Sequence, residues 1–134
     1  MLITAAAGGV GSLAVQIAAA AGARPLGVAS PANHGYLRGL GASELFDYHG
    51  ADWVRQVRAA VPGGVDLLFD AAGGQTRDHA LGAVRDGGRA IFIALPPVRL
   101  ERGITGESFA ANVDRNRLEA LGRLVDSGKL RPAG

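Results

Sequence analysis

Apolar positions along this chain fall into short, nearly unbroken runs separated by glycine- and proline-rich turns. Residues 2–5 form the first run, which meets Ala6-Ala7-Gly8-Gly9-Val10-Gly11. Residues 10–21 then read as a helix whose apolar positions are almost continuous, predicting burial on most sides, with Gly22 where a helix end needs left-handed backbone. Residues 25–29 predict a second strand, 33–40 a second helix closed by Gly41, and 44–48 a third strand. A helix over 52–60 sets Val54 and Val57 apart from Arg55 and Arg58 and stops at Pro62-Gly63-Gly64. In the strand predicted over 65–71, Leu67-Leu68-Phe69 does not alternate, as expected where helices cover both faces of a sheet. Residues 76–84 predict a helix, Asp86-Gly87-Gly88 a turn, and 90–95 a fifth strand stopped by Pro96-Pro97. A weak strand near 104–113 precedes a final amphipathic helix over 115–127.

Strands and helices alternate with short connections throughout. Because such crossovers are right-handed, the pattern predicts an α/β fold with a doubly wound parallel sheet, the Rossmann dinucleotide-binding arrangement, as one domain over residues 1–134. Composition supports a folded domain: 48% of residues are hydrophobic, and the 21 glycines follow no collagen-like period. Every apolar run is broken well before the roughly 18 residues that a membrane span requires. Without cysteine or a signal-peptide pattern, a cytoplasmic location is expected. The net charge is only +2, and the basic residues are scattered singly with few aromatics to stack on bases, so neither a nucleic-acid nor a membrane partner is expected.

The glycine-rich segment carries the candidate chemistry. It reads Ala6-x-Gly8-x-x-Gly11 between a strand and a helix, with a second strand ending about twenty residues on, as a dinucleotide fingerprint requires. Such a turn lets backbone approach a pyrophosphate while the helix N-terminus directs its unpaired N–H groups and positive dipole end at the phosphates. The alternative is a tight turn with no ligand. The carboxylate that NAD-selective folds place after the second strand is missing, since residues 12–43 contain no Asp or Glu. Ser30, His34 and, one turn further, Arg38 stand there instead, and all can donate to a phosphate, which favours NADP. Each also has a plainer role: Ser30 as a helix cap before Pro31, His34 and Arg38 as solvated surface groups. Lys129, the one lysine, lacks the context of a P-loop.

The run Ala5-Ala6-Ala7-Gly8-Gly9-Val10-Gly11-Ser12-Leu13-Ala14-Val15-Gln16, then Gly41-Ala42 before a strand ending Asp47-Tyr48, then Asp70-Ala71-Ala72-Gly73-Gly74, resembles the cofactor domain of medium-chain dehydrogenase/reductases, above all their zinc-independent quinone oxidoreductase branch. The resemblance extends over nearly the whole chain. It implies NADPH-dependent hydride transfer to a quinone or an activated alkene or carbonyl. It also implies cofactor contacts from Ala7, Gly8, Gly9, Val10 and Gly11 at the glycine loop, and from Ser30, His34 and Tyr48 at the 2′-phosphate. His34 stands where relatives carry a lysine. Ala71, Ala72 and Gly73, with Ala94 and Leu95, would flank the nicotinamide. A homodimer through the 104–113 sheet edge is a further implication.

Relatives also carry a barrel-like catalytic domain that this segment does not include, so the segment is expected to be truncated at both ends, to bind NADPH more tightly than NADH, and to turn over little by itself. No catalytic residue is assigned. Asp66, Asp70 and His79 suit turn, cap or solvated roles, and no metal site is expected, because His34, His49 and His79 are far apart in sequence. Two other readings stay open: a noncatalytic NADP-binding or dimerisation module, and an enoylreductase segment of a larger synthase. A short-chain dehydrogenase is excluded, since Leu40 and Asp52 stand four residues after Tyr36 and Tyr48, where that chemistry needs lysine. A methyltransferase lacks its ribose-binding acid.

Overall fold

A computed structural model describes residues 1–94, 97 and 99–108. The elements run β1 (Leu2–Ile3), α1 (Gly9–Ala20), β2 (Leu26–Val28), a 3-10 turn (Pro31–Asn33), α2 (His34–Leu40), β3 (Glu44–Phe46), α3 (Trp53–Ala60), β4 (Val65–Asp70), α4 (Gly74–Leu81), β5 (Val84–Phe92) and β6 (Thr105–Ser108). All pairings are parallel, and the sheet order is β3-β2-β1-β4-β5-β6. This is the doubly wound Rossmann-like order, in which the direction of winding reverses between β1 and β4.

Alternate residues of the central strands feed two separate cores, because successive side chains in a strand point to opposite faces. Leu2, Leu26, Val28 and Leu68 pack with Trp53, Val57 and Ala80 of α3 and α4. Ile3, Leu67, Phe69 and Ile91 pack with Ala14 and Val15 of α1 and Leu37 of α2. The unbroken Leu67-Leu68-Phe69 run is therefore buried on both faces, as its sequence predicts. Each such large side chain contributes roughly 1.5–3 kcal/mol by leaving water.

Several expectations are corrected. The continuous apolar pattern of α1 gives one buried stripe, Gly11, Ala14, Val15 and Ala18, rather than burial on most sides, and Leu13 is 37% exposed. That stripe repeats at i, i+3, i+4 and i+7, and its small residues let the helix lie close to the sheet. The fourth helix ends at Leu81 rather than at 84, and the fifth strand begins at Val84 rather than at 90. Val84 is fully buried and pairs with Val65, while Leu67 pairs with Arg89. Residues 85–88 bulge between those two pairs, so the Asp86-Gly87-Gly88 turn is a bulge inside a strand. The weak strand is confined, among the described residues, to β6. The helix expected over 115–127 lies outside them, and no described helix is long and apolar enough to cross a membrane.

Candidate functional site

At the carboxyl ends of the strands, next to the point where winding reverses, a cleft of about 300 Å³ opens in front of the glycine loop. Ala5, Ala7 and Gly8 form its floor. Ser30 and Asn33 after β2, with Tyr48 after β3, form one wall, and Ala72 and Thr76 after β4 form the other. Ligands of open α/β sheets bind at this position because the strand-end loops diverge there.

The three loop glycines turn out to serve different ends. None has positive φ. A Cβ on Gly11 would lie 2.2 Å from the Ala5 carbonyl oxygen, so this glycine is required by helix-to-strand packing. At Gly8 the nearest atom would be that same backbone oxygen at 3.3 Å, a tight contact that the turn could accept only by shifting a few tenths of an ångström. At Gly9 a Cβ would meet nothing within 4 Å. Gly9 is the first residue of α1, where alanine would favour the helix by up to about 1 kcal/mol. Among the described residues, packing gives no reason for glycine at position 9.

That helix end suits an anion. Gly8 provides no side-chain cap, and the first turn contains no acidic residue. The leading N–H groups of a helix have no intrahelical partners and point along its axis, where the dipole favours negative charge. The sharp turn leading into it is made by Ala5, which adopts φ +48° while its carbonyl accepts from Gly8 N–H at 3.0 Å. Left-handed backbone costs a non-glycine residue about 1–2 kcal/mol. Ala5→Gly is therefore expected to raise stability by about 0.5–1 kcal/mol, net of glycine's greater unfolded entropy. Thermal unfolding followed by circular dichroism would register this as a rise of a few degrees; an unchanged or lower midpoint would mean that Ala5 is not strained.

The opposite wall holds a polar cluster. Ser30 makes no capping hydrogen bond; its hydroxyl donates to the Tyr48 hydroxyl at 3.4 Å, so its role as a helix cap is set aside. Tyr48 is 43% exposed and its ring lies 4.1 Å from that of His49. His34 does not line the cleft. Its Nε2 lies 2.9 Å from the Ala29 carbonyl oxygen, and because a carbonyl only accepts, Nε2 carries the proton and only Nδ1 is left for a ligand. The nearby Asp47 carboxylate accepts from the His49 N–H and ring, which hold its pKa below the ordinary value.

Of the residues expected to bind cofactor, Ala7, Gly8, Ser30, Tyr48 and Ala72 share the cleft. Gly9, Val10 and Gly11 form the helix turn beside it. Ala71 and Gly73 stand in the β4–α4 loop, their amides held by buried side chains. Ala94 is partly buried and does not line the cleft, and Leu95 lies outside the described residues. The paired glycines Gly73 and Gly74 have φ of +69° and +58°, so this loop needs them for its backbone. Asn33 and Thr76 went unnoticed in the sequence because both read as helix starts. Asp66 pairs with Arg85 at 2.6 Å, a solvated role as expected.

A family model described as zinc-binding dehydrogenase matches residues 9–124, most of the chain. The chain belongs to this family. Its members are pyridine-nucleotide-dependent oxidoreductases, and the medium-chain dehydrogenase/reductase resemblance is thereby borne out. Among curated relatives, the chain is 37% identical over 107 residues to the spectinabilin polyketide synthase system protein NorB of Streptomyces orinoci, covering 80% of this chain and 5% of that protein. It is 35% identical over 94 residues to prostaglandin reductase-3 of Bos taurus, covering 69% of this chain and 25% of that one. Among solved structures, the quinone oxidoreductase from Coxiella burnetii superposes with a TM-score of 0.69 at 29% identity, over 97% of this chain and 42% of its own. The chain thus spans less than half the length of each. The family's description mentions zinc, but the described residues contain no group of three or more His, Cys, Asp or Glu placed to hold a metal ion, so they do not fit a zinc site.

Proposed function

We propose that this chain is the NADPH-binding part of a reductase that transfers a hydride to a quinone or an activated alkene or carbonyl. The observation that carries the reading is the uncapped, acid-free glycine turn of α1, where the position next to the cleft has no structural need for glycine. The pyrophosphate would lie against the Gly9, Val10 and Gly11 amides. The adenosine 2′-phosphate would lie by the Ser30 and Tyr48 hydroxyls, with Asn33 beside them. No carboxylate comes from residues 12–43 at that end of β2, and the Asp47 carboxylate beside Tyr48 is engaged by the His49 N–H and ring. Ala71, Ala72 and Gly73, with Ala94 and Leu95, would flank the nicotinamide, which supplies the hydride when the cofactor is bound. The protein is read as cytoplasmic, and the exposed β6 edge as the surface through which two copies pair.

The substrate class rests on two similarities. Likeness to a quinone oxidoreductase supports a quinone. Identity to a polyketide synthase protein and to a prostaglandin reductase supports the second reading, an enoylreductase segment reducing an activated alkene. Both use the same cofactor site.

Titration calorimetry with the two reduced cofactors tests the assignment. NADPH is expected to bind at least tenfold more tightly than NADH, about 1.4 kcal/mol. Equal affinity, or tighter NADH binding, would refute the NADPH assignment.

A further inference from the structure

The described residues include only two buried polar side chains, Thr4 and Asp70, both without solvent exposure, and they bond to each other. Thr4 follows β1 and Asp70 ends β4, so the pair bridges the two strands between which the sheet reverses its winding. The Thr4 hydroxyl is used to its full capacity, one donor and two acceptor positions. It donates to Asp70 Oδ1 at 2.6 Å and accepts from the N–H groups of Ala71 at 3.0 Å and Ala72 at 3.3 Å. Asp70 Oδ2 accepts from Gly73 N–H at 3.0 Å. Three consecutive amides of the β4–α4 loop are thus held by one hydroxyl and one carboxylate, and Asp70 makes no ion pair among the described residues.

An apolar pair of similar volume would avoid burying a carboxylate but would leave the Ala71, Ala72 and Gly73 N–H groups without these acceptors. What the polar pair adds is geometry. The residue after Thr4 is Ala5, which turns the glycine loop, and the residues after Asp70 form the opposite wall of the cleft. A doubly wound sheet offers one nucleotide-binding half on each side of its reversal point. We propose that Thr4 and Asp70 are positioning residues that fix the spacing between the two halves, so that a ligand occupying both is bound while a ligand occupying the first half alone does not depend on them. This inference rests on the dinucleotide reading above.

The probes are NADPH, which spans both halves, and 2′,5′-ADP, which reaches only the first. Their affinities are measured for the unsubstituted chain and for Thr4→Val, Thr4→Ser and Asp70→Asn. Val keeps the shape of Thr without its hydroxyl; Ser keeps the hydroxyl. Expected is a loss of NADPH affinity of roughly tenfold or more in Thr4→Val and Asp70→Asn, from displacement of the loop. Affinity for 2′,5′-ADP should stay within about twofold, and Thr4→Ser should bind NADPH as the unsubstituted chain does. Retained 2′,5′-ADP binding also reports that the first half is folded. Equal losses for both ligands would reduce the pair to a structural element and overturn the proposal, as would unchanged NADPH affinity. Failure of the unsubstituted chain to bind either ligand would instead overturn the dinucleotide reading, and the proposal with it.

Discussion

Gly11→Leu is expected to lower the stability of the domain by about 3 kcal/mol or more and to abolish cofactor binding. From sequence alone such a change is expected to remove binding while leaving a folded domain, because the glycine is read as making room for a pyrophosphate. The structure revises this. The added Cβ would lie 2.2 Å from the Ala5 carbonyl oxygen, 2.9 Å from its carbon and 2.9 Å from the Ala6 Cα, and all three are backbone atoms. Overpacking against side chains costs typically about 1–3 kcal/mol because rotamers can adjust, but here α1 itself must move off β1. Gly11 lies on the buried stripe that packs α1 on Ile3 and Phe69, so the movement also opens the core on that face. Denaturant unfolding would show a lower midpoint, and calorimetry no NADPH binding. Native-like stability in this variant would mean that the helix does not approach the strand this closely.

Gly9→Val should do the reverse. Its side chain would project into open space at the start of α1, so the unliganded fold is expected to keep its stability, or gain a few tenths of a kcal/mol from better helix propensity. NADPH binding should fall by roughly a hundredfold or more, because the two methyl groups would occupy the place where phosphate oxygens meet the helix amides, and each lost charge-assisted hydrogen bond is worth about 1.5–3 kcal/mol. Calorimetry together with thermal unfolding reads both effects. If Gly9→Val binds NADPH as well as the unsubstituted chain, the glycine loop is a turn and nothing more. The two variants form a pair, one at a glycine that packing requires and one at a near neighbour that packing does not.

Much of this was legible in the sequence. The alternation of elements, the doubly buried Leu67-Leu68-Phe69 strand and the glycine turn between β1 and α1 follow from local rules: side-chain period, turn chemistry and the length of apolar runs. Those rules read neighbours along the chain, and they hold wherever a residue's environment is set by the residues around it in sequence. They fail at Val84, where pairing with Val65 on β4 takes a residue that reads as the end of a helix into a strand. They fail again at α1, whose apolar composition does not reveal that only one stripe meets the sheet.

By itself the sequence determined the fold class, the position of the glycine loop at the start of α1, and the acid-free stretch through residue 43 on which the proposed NADPH preference rests. Only the tertiary structure separated the glycine that packing requires from the one it does not, since the distance from Gly11 to the Ala5 carbonyl and the empty space beside Gly9 depend on how α1 lies on β1. It alone joined Ser30 to Tyr48 across 18 positions and Thr4 to Asp70 across 66. Such pairings exist because parallel strands bring carboxyl ends together from distant parts of the chain, and no periodicity along the sequence records which ends will meet.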